Sequence, residues 1–173
     1  LAAMHLDEEK GIATVEDAWQ GACDIVAENI SDSAEVRKLL RKELWNAGEL
    51  VSELIIDEKE APEFLQYRDY SEPVRQLPPH RILAMNRGED KKALKINLRC
   101  PDEKLIAKVA QKLNLKEQSP FYTYYHNALT DSYKRLLLPS LERELRNELT
   151  EKAEKQAISV FAANLRQLLL TQP

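Results

Sequence analysis

Near the start of the chain, apolar residues recur at every fourth position, which is the spacing of one buried helix face. They run four apart from Ala18 to Ile30 and predict an amphipathic helix of about four turns. Just before them, Thr14 and Asp17 supply the hydroxyl and the carboxylate of a capping box. The helix is therefore expected to begin after Thr14.

A second helix is predicted directly after the first. The same spacing recurs from Val36 to Ala47, with Asp32 as the expected N-cap and Gly48 as the residue that ends the helix. Because only a few residues separate the two helices, we expect them to pack as an antiparallel hairpin.

The middle of the chain contains short apolar runs and several prolines. The run ELVSELIIDE (49–58) fits either a strand or a third short helix. The proline-marked stretch after it predicts a short helix around Phe64–Asp69 and then an irregular connection. Apolar and polar residues alternate from Leu94 to Arg99, which predicts a half-buried strand that residues 50–56 could pair with.

The segment PPHRILAMNRGED (78–90) predicts a helix with marked ends. Pro79 suits the first turn, where its missing N–H costs nothing. Gly88 is expected to end the helix, because glycine adopts the left-handed conformation without steric cost. The same helix carries His80, Arg81 and Arg87, and so it is the first candidate site.

The last part of the chain is predicted to be almost entirely helical. Residues 101–115 have helical spacing, and the aromatic-rich segment from Tyr122 is expected to be helical until Pro139 kinks or stops it. No glycine or proline occurs between Pro139 and Leu170, so one helix of about 30 residues, spanning about 45 Å, is expected there. A break at Thr150 is the alternative.

These elements predict a mainly α fold, a multi-helix assembly with a small β element near 94–99 and a long C-terminal helix. Charge divides the chain: residues 1–60 contain six Lys/Arg and fifteen Asp/Glu, whereas 75–116 contain eleven and four. We therefore expect an acidic helical hairpin part (1–60) and a basic helical part (61–173). Basic segments of this kind often face nucleic acid, although two oppositely charged surfaces can also pair with each other.

The sequence contains no recognisable catalytic or metal-binding motif, so we expect neither an enzyme nor a cofactor. Its three histidines (His5, His80 and His126) lack ligand-like spacing, and its two cysteines are far apart. No run approaches the roughly 20 apolar residues of a membrane span, and sparse cysteine favours the cytoplasm. The chain begins at Leu1 without an initiator methionine, and we expect it to be a fragment of a larger multidomain protein.

Three stretches together resemble the bacterial Tex family of transcription accessory proteins. They are EDAWQGACDIVAENISDSAEVRKLLR (16–41), YRDYSEPVRQLPPHRILAMNRGEDKKAL (67–94) and DSYKRLLLPSLERELRNELTEKAEKQAISVFAANLRQLLL (131–170). The likeness covers most of the chain, and the third stretch is the most specific. One departure is Pro79, where the family often has a serine that would cap the helix.

The resemblance implies a role in transcription. Full-length Tex-like proteins are cytoplasmic, multidomain and nucleic-acid-binding, with helix-turn-helix regions, a YqgF domain, helix-hairpin-helix elements and a C-terminal S1-type RNA-binding domain. This chain resembles only the helical region before the YqgF domain. The resemblance therefore implies a non-catalytic scaffold segment, and the parts most clearly linked to RNA binding lie outside it.

Basic side chains are the candidate contacts to RNA or DNA. Arg81 and Arg87 are six residues apart and therefore do not share a helix face, so they could instead bond to acids on neighbouring elements. Lysines spaced four apart could follow a phosphate backbone or simply face solvent, and the aromatics of 121–133 could stack on bases but more often form core. The candidate residues are His80, Arg81, Arg87, Lys104, Lys108, Lys112, Lys134 and Arg135.

Two functions therefore remain open at the level of sequence. The first is nucleic-acid binding, RNA or DNA, through electrostatic contacts of the basic region. The alternative is a protein-interaction module that docks RNA polymerase or other transcription factors, with the acidic part meeting a basic partner.

Overall fold

A computed structural model of the chain describes residues 12–170. It confirms the mainly α fold with a small sheet and a long C-terminal helix. The α-helices are α1 (Val15–Asp32), α2 (Ala34–Ala47), α3 (Pro79–Asp90), α4 (Asp102–Lys112), α5 (Tyr122–Asp131) and α6 (Leu138–Leu170). The strands are β1 (Glu49–Leu54), β2 (Asp69–Pro73) and β3 (Leu94–Arg99). Short 3₁₀ helices occupy Pro62–Tyr67 and Val74–Gln76, and a π-helical segment occupies Ser132–Leu137.

The described chain forms two compact units, each assembled from two separate stretches. The first unit contains 12–42 and 102–141, and the second contains 43–101 and 142–170. The division of the sequence at residue 60 rests on charge and stays a prediction.

The start of α1 confirms the predicted capping box. The Thr14 hydroxyl accepts a hydrogen bond from the Asp17 backbone N–H at 3.1 Å, and the Asp17 carboxylate accepts one from the Thr14 N–H at 2.9 Å. The cap expected at Asp32 is wrong, because the Ser33 hydroxyl accepts the bond from the Val36 N–H at the start of α2. A serine in this position satisfies the same free N–H as an aspartate would.

The core of the first unit lies between α1, α5 and the π-helical segment. Ala27, Leu129, Tyr133 and Leu137 are buried there. Ser132 is also fully buried, and its hydroxyl donates a 2.7 Å hydrogen bond to the backbone carbonyl of Ala27. This bond satisfies a polar group that would otherwise be costly to bury.

Of the two alternatives expected at Pro139, a kink or a stop, the stop is wrong, because the backbone is helical throughout 122–170. A proline inside an α-helix removes one hydrogen bond and clashes with the carbonyl four residues earlier. The π-helical segment immediately before Pro139 has a wider turn, in which the Leu138 N–H donates to the Tyr133 carbonyl five residues back. This local change of helix type accommodates the proline without ending the helix.

The sheet of the second unit is antiparallel, in the order β2-β1-β3. Of the two alternatives for residues 49–58, a strand or a helix, the structure has a strand, β1. It also confirms the predicted strand β3 and its pairing with β1. β2 was not predicted, because its sequence ends in Pro73 and lacks apolar alternation. β2 is an edge strand, where a proline can lie without removing a hydrogen bond between strands.

α3 begins as predicted but does not end at glycine. Pro78 precedes it without a side-chain cap, and Pro79 occupies the first turn. Gly88 lies within the helix, and the left-handed conformation belongs to Lys92, at φ 56°. A β-carbon at Gly88 would lie 2.5 Å from the Cδ1 atom of Leu94, so the glycine permits close packing of α3 on β3 and does not terminate the helix.

α6 confirms the long C-terminal helix and shows no break at Thr150, whose hydroxyl oxygen accepts a 2.8 Å hydrogen bond from the Asn86 side-chain amide. Its buried face ends at Ala153. Every residue of 154–170 is exposed, including the apolar Ile158, Phe161 and Leu168. The part of α6 up to Ala153 is therefore packed, whereas residues 154–170 present an apolar stripe to solvent.

Candidate nucleic-acid interface

Arg81 is held by groups of the second unit. One guanidinium nitrogen donates to the Tyr70 hydroxyl at 2.6 Å and lies 3.3 Å from a Glu72 carboxylate oxygen. Its guanidinium carbon is also 4.9 Å from the centre of the Tyr70 ring, an arrangement typical of a cation–π contact. These contacts support the structural interpretation of Arg81, which joins α3 to β2.

The other basic residues of α3 are exposed. His80 and Arg87 both face solvent. The pKa of Glu63 is lowered mainly by hydrogen bonds to its own backbone and to Lys91, and also by the positive charges of Lys91 and Arg87. Glu89 pairs with both guanidinium nitrogens of Arg146 on α6 and so links α3 to α6.

α4 presents three of the candidate lysines, and all three are exposed. Lys104, Lys108 and Lys112 fall four residues apart, so they lie in one row along the helix surface with neighbouring Cβ atoms about 6 Å apart. The next lysine at the same spacing, Lys116, lies beyond the end of α4. Leu105, Ile106 and Val109 are the buried residues of α4, so the helix packs through a different face from the one that carries the lysine row.

Lys112 of this row forms an ion pair with an acidic side chain. The Lys112 ammonium lies 2.6 Å from a Glu35 carboxylate oxygen of α2. The hydrogen bond and the positive charge of Lys112 together hold the pKa of the Glu35 carboxyl below its ordinary value. Both side chains are largely exposed, so the pair contributes little to stability and can exchange partners readily.

Lys134 and Arg135 are exposed residues of the π-helical segment, and each has acidic neighbours. Arg135 donates hydrogen bonds to Asp131 at 2.7–3.2 Å and lies 3.9 Å from Asp24. Lys134 borders a groove beside α4 whose lining includes Asp102 and Glu103. The lysine row of α4 does not contribute to that lining, so the structure places these two sets of basic residues on different surfaces of the first unit.

The aromatic residues of 121–133 were expected to form core, and among them Tyr133 is fully buried. Tyr133 is buried, and its hydroxyl donates a 2.7 Å hydrogen bond to Asp102. Phe121, Tyr124 and Tyr125 are instead 50%, 44% and 45% exposed. Their spacing of three and four residues places them on one helix face, a signal that the sequence already contained.

Within residues 12–170, no group of three or more His, Cys, Asp or Glu side chains could hold a metal ion. His5 lies outside those residues. The helices described by the structure include none that is long and apolar enough to cross a membrane. Cys23 and Cys100 are not joined in a disulfide bond.

Comparison with known proteins gives a consistent result. Residues 1–161 match the family described as Tex central region-like. The chain is 39% identical to the uncharacterized protein YdcI of Bacillus subtilis over 99% of its length, and 35% identical to the transcriptional accessory protein Tex of Neisseria gonorrhoeae over 90%. It is also 33% identical to the human S1 RNA-binding domain-containing protein 1 over 95%. The chain spans only 24%, 21% and 18% of these three relatives.

Proposed function

Since the chain belongs to the Tex family of transcription accessory proteins, as a central region of that family, we propose that it is a non-catalytic helical scaffold segment that binds nucleic acid. The full protein would act in transcription in the cytoplasm. Two relatives are named as a transcriptional accessory protein and an S1 RNA-binding domain-containing protein, and these names support the proposal. Because the chain spans a quarter of such proteins or less, we assign their activity to it only as a proposal.

The observation that carries the proposal is the exposed lysine row of α4. Three flexible ammonium groups spaced along one helix can follow a phosphate backbone without reading bases. The proposed contact consists of Lys104, Lys108 and Lys112. Lys112 joins it by leaving Glu35, an exchange that costs little at the surface.

The remaining candidates contribute less. Arg81 is occupied by Tyr70 and Glu72, and Arg135 is occupied by Asp131. His80, Arg87 and Lys134 are exposed and can add phosphate contacts. The proposed interface is thus narrower than the sequence suggested.

A salt-dependent binding measurement on the 173-residue chain tests this proposal. Fluorescence anisotropy with a labelled 20-nucleotide single-stranded RNA, and separately with duplex DNA, gives affinity as a function of salt. Replacing Lys104, Lys108 and Lys112 by glutamate is expected to abolish binding. Replacing them by glutamine should reduce the slope of log affinity against log salt by about 2 for single-stranded RNA, because each phosphate contact contributes about 0.7.

A matched control separates the lysine row from net charge. Replacing Lys38, Lys59 and Lys155 by glutamate changes the total charge equally and should weaken binding only slightly. Circular dichroism checks that both triple variants remain folded. If the unmodified chain binds neither nucleic acid at low salt, or if both triple variants lose affinity equally, the proposed interface is wrong.

A further inference from the structure

The first unit contains an apolar pocket between α1 and α5, with a volume of about 270 Å³. Its lining includes Trp19, Cys23, Val26, Phe121, Tyr124 and Tyr125. The Trp19 and Tyr124 rings are stacked, with centroids 4.7 Å apart and planes 15° apart, and Phe121 lies 6.4 Å from Trp19. The proposed lysine contact does not involve any of these residues.

The rim of this pocket is formed by aromatic rings that remain about half exposed. An exposed aromatic ring retains apolar area that a partner can still bury, and it loses little conformational entropy on binding because it has only two side-chain torsions. The stacking of Trp19 on Tyr124 further fixes both rings before any ligand arrives. Pre-formed aromatic pockets of this kind are typical anchor sites in protein interfaces.

The charge around the pocket distinguishes between possible occupants. The two helices that form it contain six carboxylates and no Lys or Arg: Glu16, Asp17, Asp24, Glu28, Asp32 and Asp131. Glu16, Asp24 and Asp131 line the surface next to the pocket. Arg135, which lies beside Asp131 and Asp24, is engaged by Asp131, and this hydrogen bonding lowers the pKa of Asp131.

A negative surface of this kind repels phosphate backbones and attracts Lys and Arg side chains. We propose that the pocket binds a basic peptide segment of a partner protein. An apolar side chain of that segment enters between Trp19 and Tyr125, and its flanking Lys or Arg residues face Glu16 and Asp24. This inference does not depend on the proposed nucleic-acid function, because it uses different residues and the opposite charge.

Three matched peptides test the proposal on the 173-residue chain carrying Trp45→Phe, in which Trp19 is the remaining tryptophan. The first peptide, KKLLKKLLKK, has both apolar anchors and positive charge. The second, EELLEELLEE, keeps the anchors and reverses the charge, whereas the third, KKSSKKSSKK, keeps the charge and lacks the anchors. The first peptide is expected to shift Trp19 fluorescence saturably, with an affinity at least about tenfold above the other two.

Two variants assign the binding to this pocket. Tyr124→Ser removes the ring stacked on Trp19 and should weaken binding of the first peptide by about tenfold or more. Calorimetry reports binding in this variant independently of Trp19. The double variant Glu16→Gln/Asp24→Asn should weaken binding of the first peptide severalfold and reduce its salt dependence. The charge-matched control Asp57→Asn/Glu60→Gln, in the second unit, should leave the affinity unchanged.

Several results would overturn the proposal. Equal binding of the first and second peptides would remove the charge argument. Unchanged binding in a folded Tyr124→Ser chain would remove the pocket. A saturable change of Trp19 fluorescence with RNA alone would assign the pocket to nucleic acid, and a dimer that Tyr124→Ser dissociates in sedimentation would assign it to a second copy of the chain.

Discussion

Replacing Gly88 by alanine tests why a glycine lies within α3. A β-carbon at this position would lie 2.5 Å from the Cδ1 atom and 2.7 Å from the Cγ atom of Leu94, and 3.2 Å from a ring carbon of Phe64. Leu94 is only 1% exposed, so its side chain cannot turn away into solvent. The added methyl group must therefore push a buried leucine of β3 or shift α3 itself.

Two opposing terms set the size of the effect. Alanine in a helix interior is more favourable than glycine by about 0.5–1 kcal/mol. Overpacking a close-packed core costs about 1–3 kcal/mol. The steric term exceeds the helical gain at these distances, and we expect Gly88→Ala to lower the free energy of unfolding by about 1–2 kcal/mol.

Gly21→Ala provides a matched control, since Gly21 lies in α1 and its β-carbon would have no neighbour within 4 Å. That variant should gain about 0.5–1 kcal/mol from helix propensity alone. Urea unfolding followed by circular dichroism compares the two variants. Leu94→Ala completes a double-mutant cycle: in its background Gly88→Ala should become neutral or stabilising, a coupling of about 2 kcal/mol between two contacting residues.

The explanation is refuted if Gly88→Ala stabilises the chain as much as Gly21→Ala. It is equally refuted if the effects of Gly88→Ala and Leu94→Ala add without coupling. In either case the glycine would have a role other than accommodating Leu94.

Two further predictions concern polar contacts. Ser132→Ala removes the buried hydrogen bond to the Ala27 carbonyl and should destabilise the chain by about 1–2 kcal/mol in urea unfolding, whereas Ser159→Ala, in the exposed part of α6, should change stability by less than about 0.5 kcal/mol. Lys112→Gln should raise the pKa of Glu35 toward its ordinary 4.5, measured by NMR titration of the carboxyl carbon. Because the pair lowers the pKa of Glu35, its contribution to stability is present above pH 4.5 and is lost as the pH falls through the lowered pKa. An unchanged pKa of Glu35 would show that the ion pair does not form in solution.

Local chemistry predicted those elements of the fold whose causes lie within a few residues of sequence. The capping box at Thr14, the proline entry of α3 and the alternation of β3 are local, and all three are confirmed. Two of the failures arose where the cause is distant in sequence. Gly88 resembles a helix end until β3 brings Leu94 against it, and β2 is a strand only because β1 pairs with it.

The candidate site was likewise predictable from the sequence only in part. The spacing of Lys104, Lys108 and Lys112 is visible in the sequence, and the structure places them together on α4. Their partners are not visible, because Glu35 meets Lys112 only through the packing of α2 and α4. The aromatic residues show the opposite error: a composition typical of core supplies one buried residue, Tyr133, and three exposed ones.

The exposed half of α6 has a consequence for how the helix opens. An isolated helix of 17 residues is only marginally stable, because its first turn must form before any further bond is gained. Here the turns packed up to Ala153 already supply that nucleus, and residues 154–170 only extend it. In the 173-residue chain, amide hydrogen exchange should therefore slow steadily from Leu170 toward Ala153 instead of changing in one step.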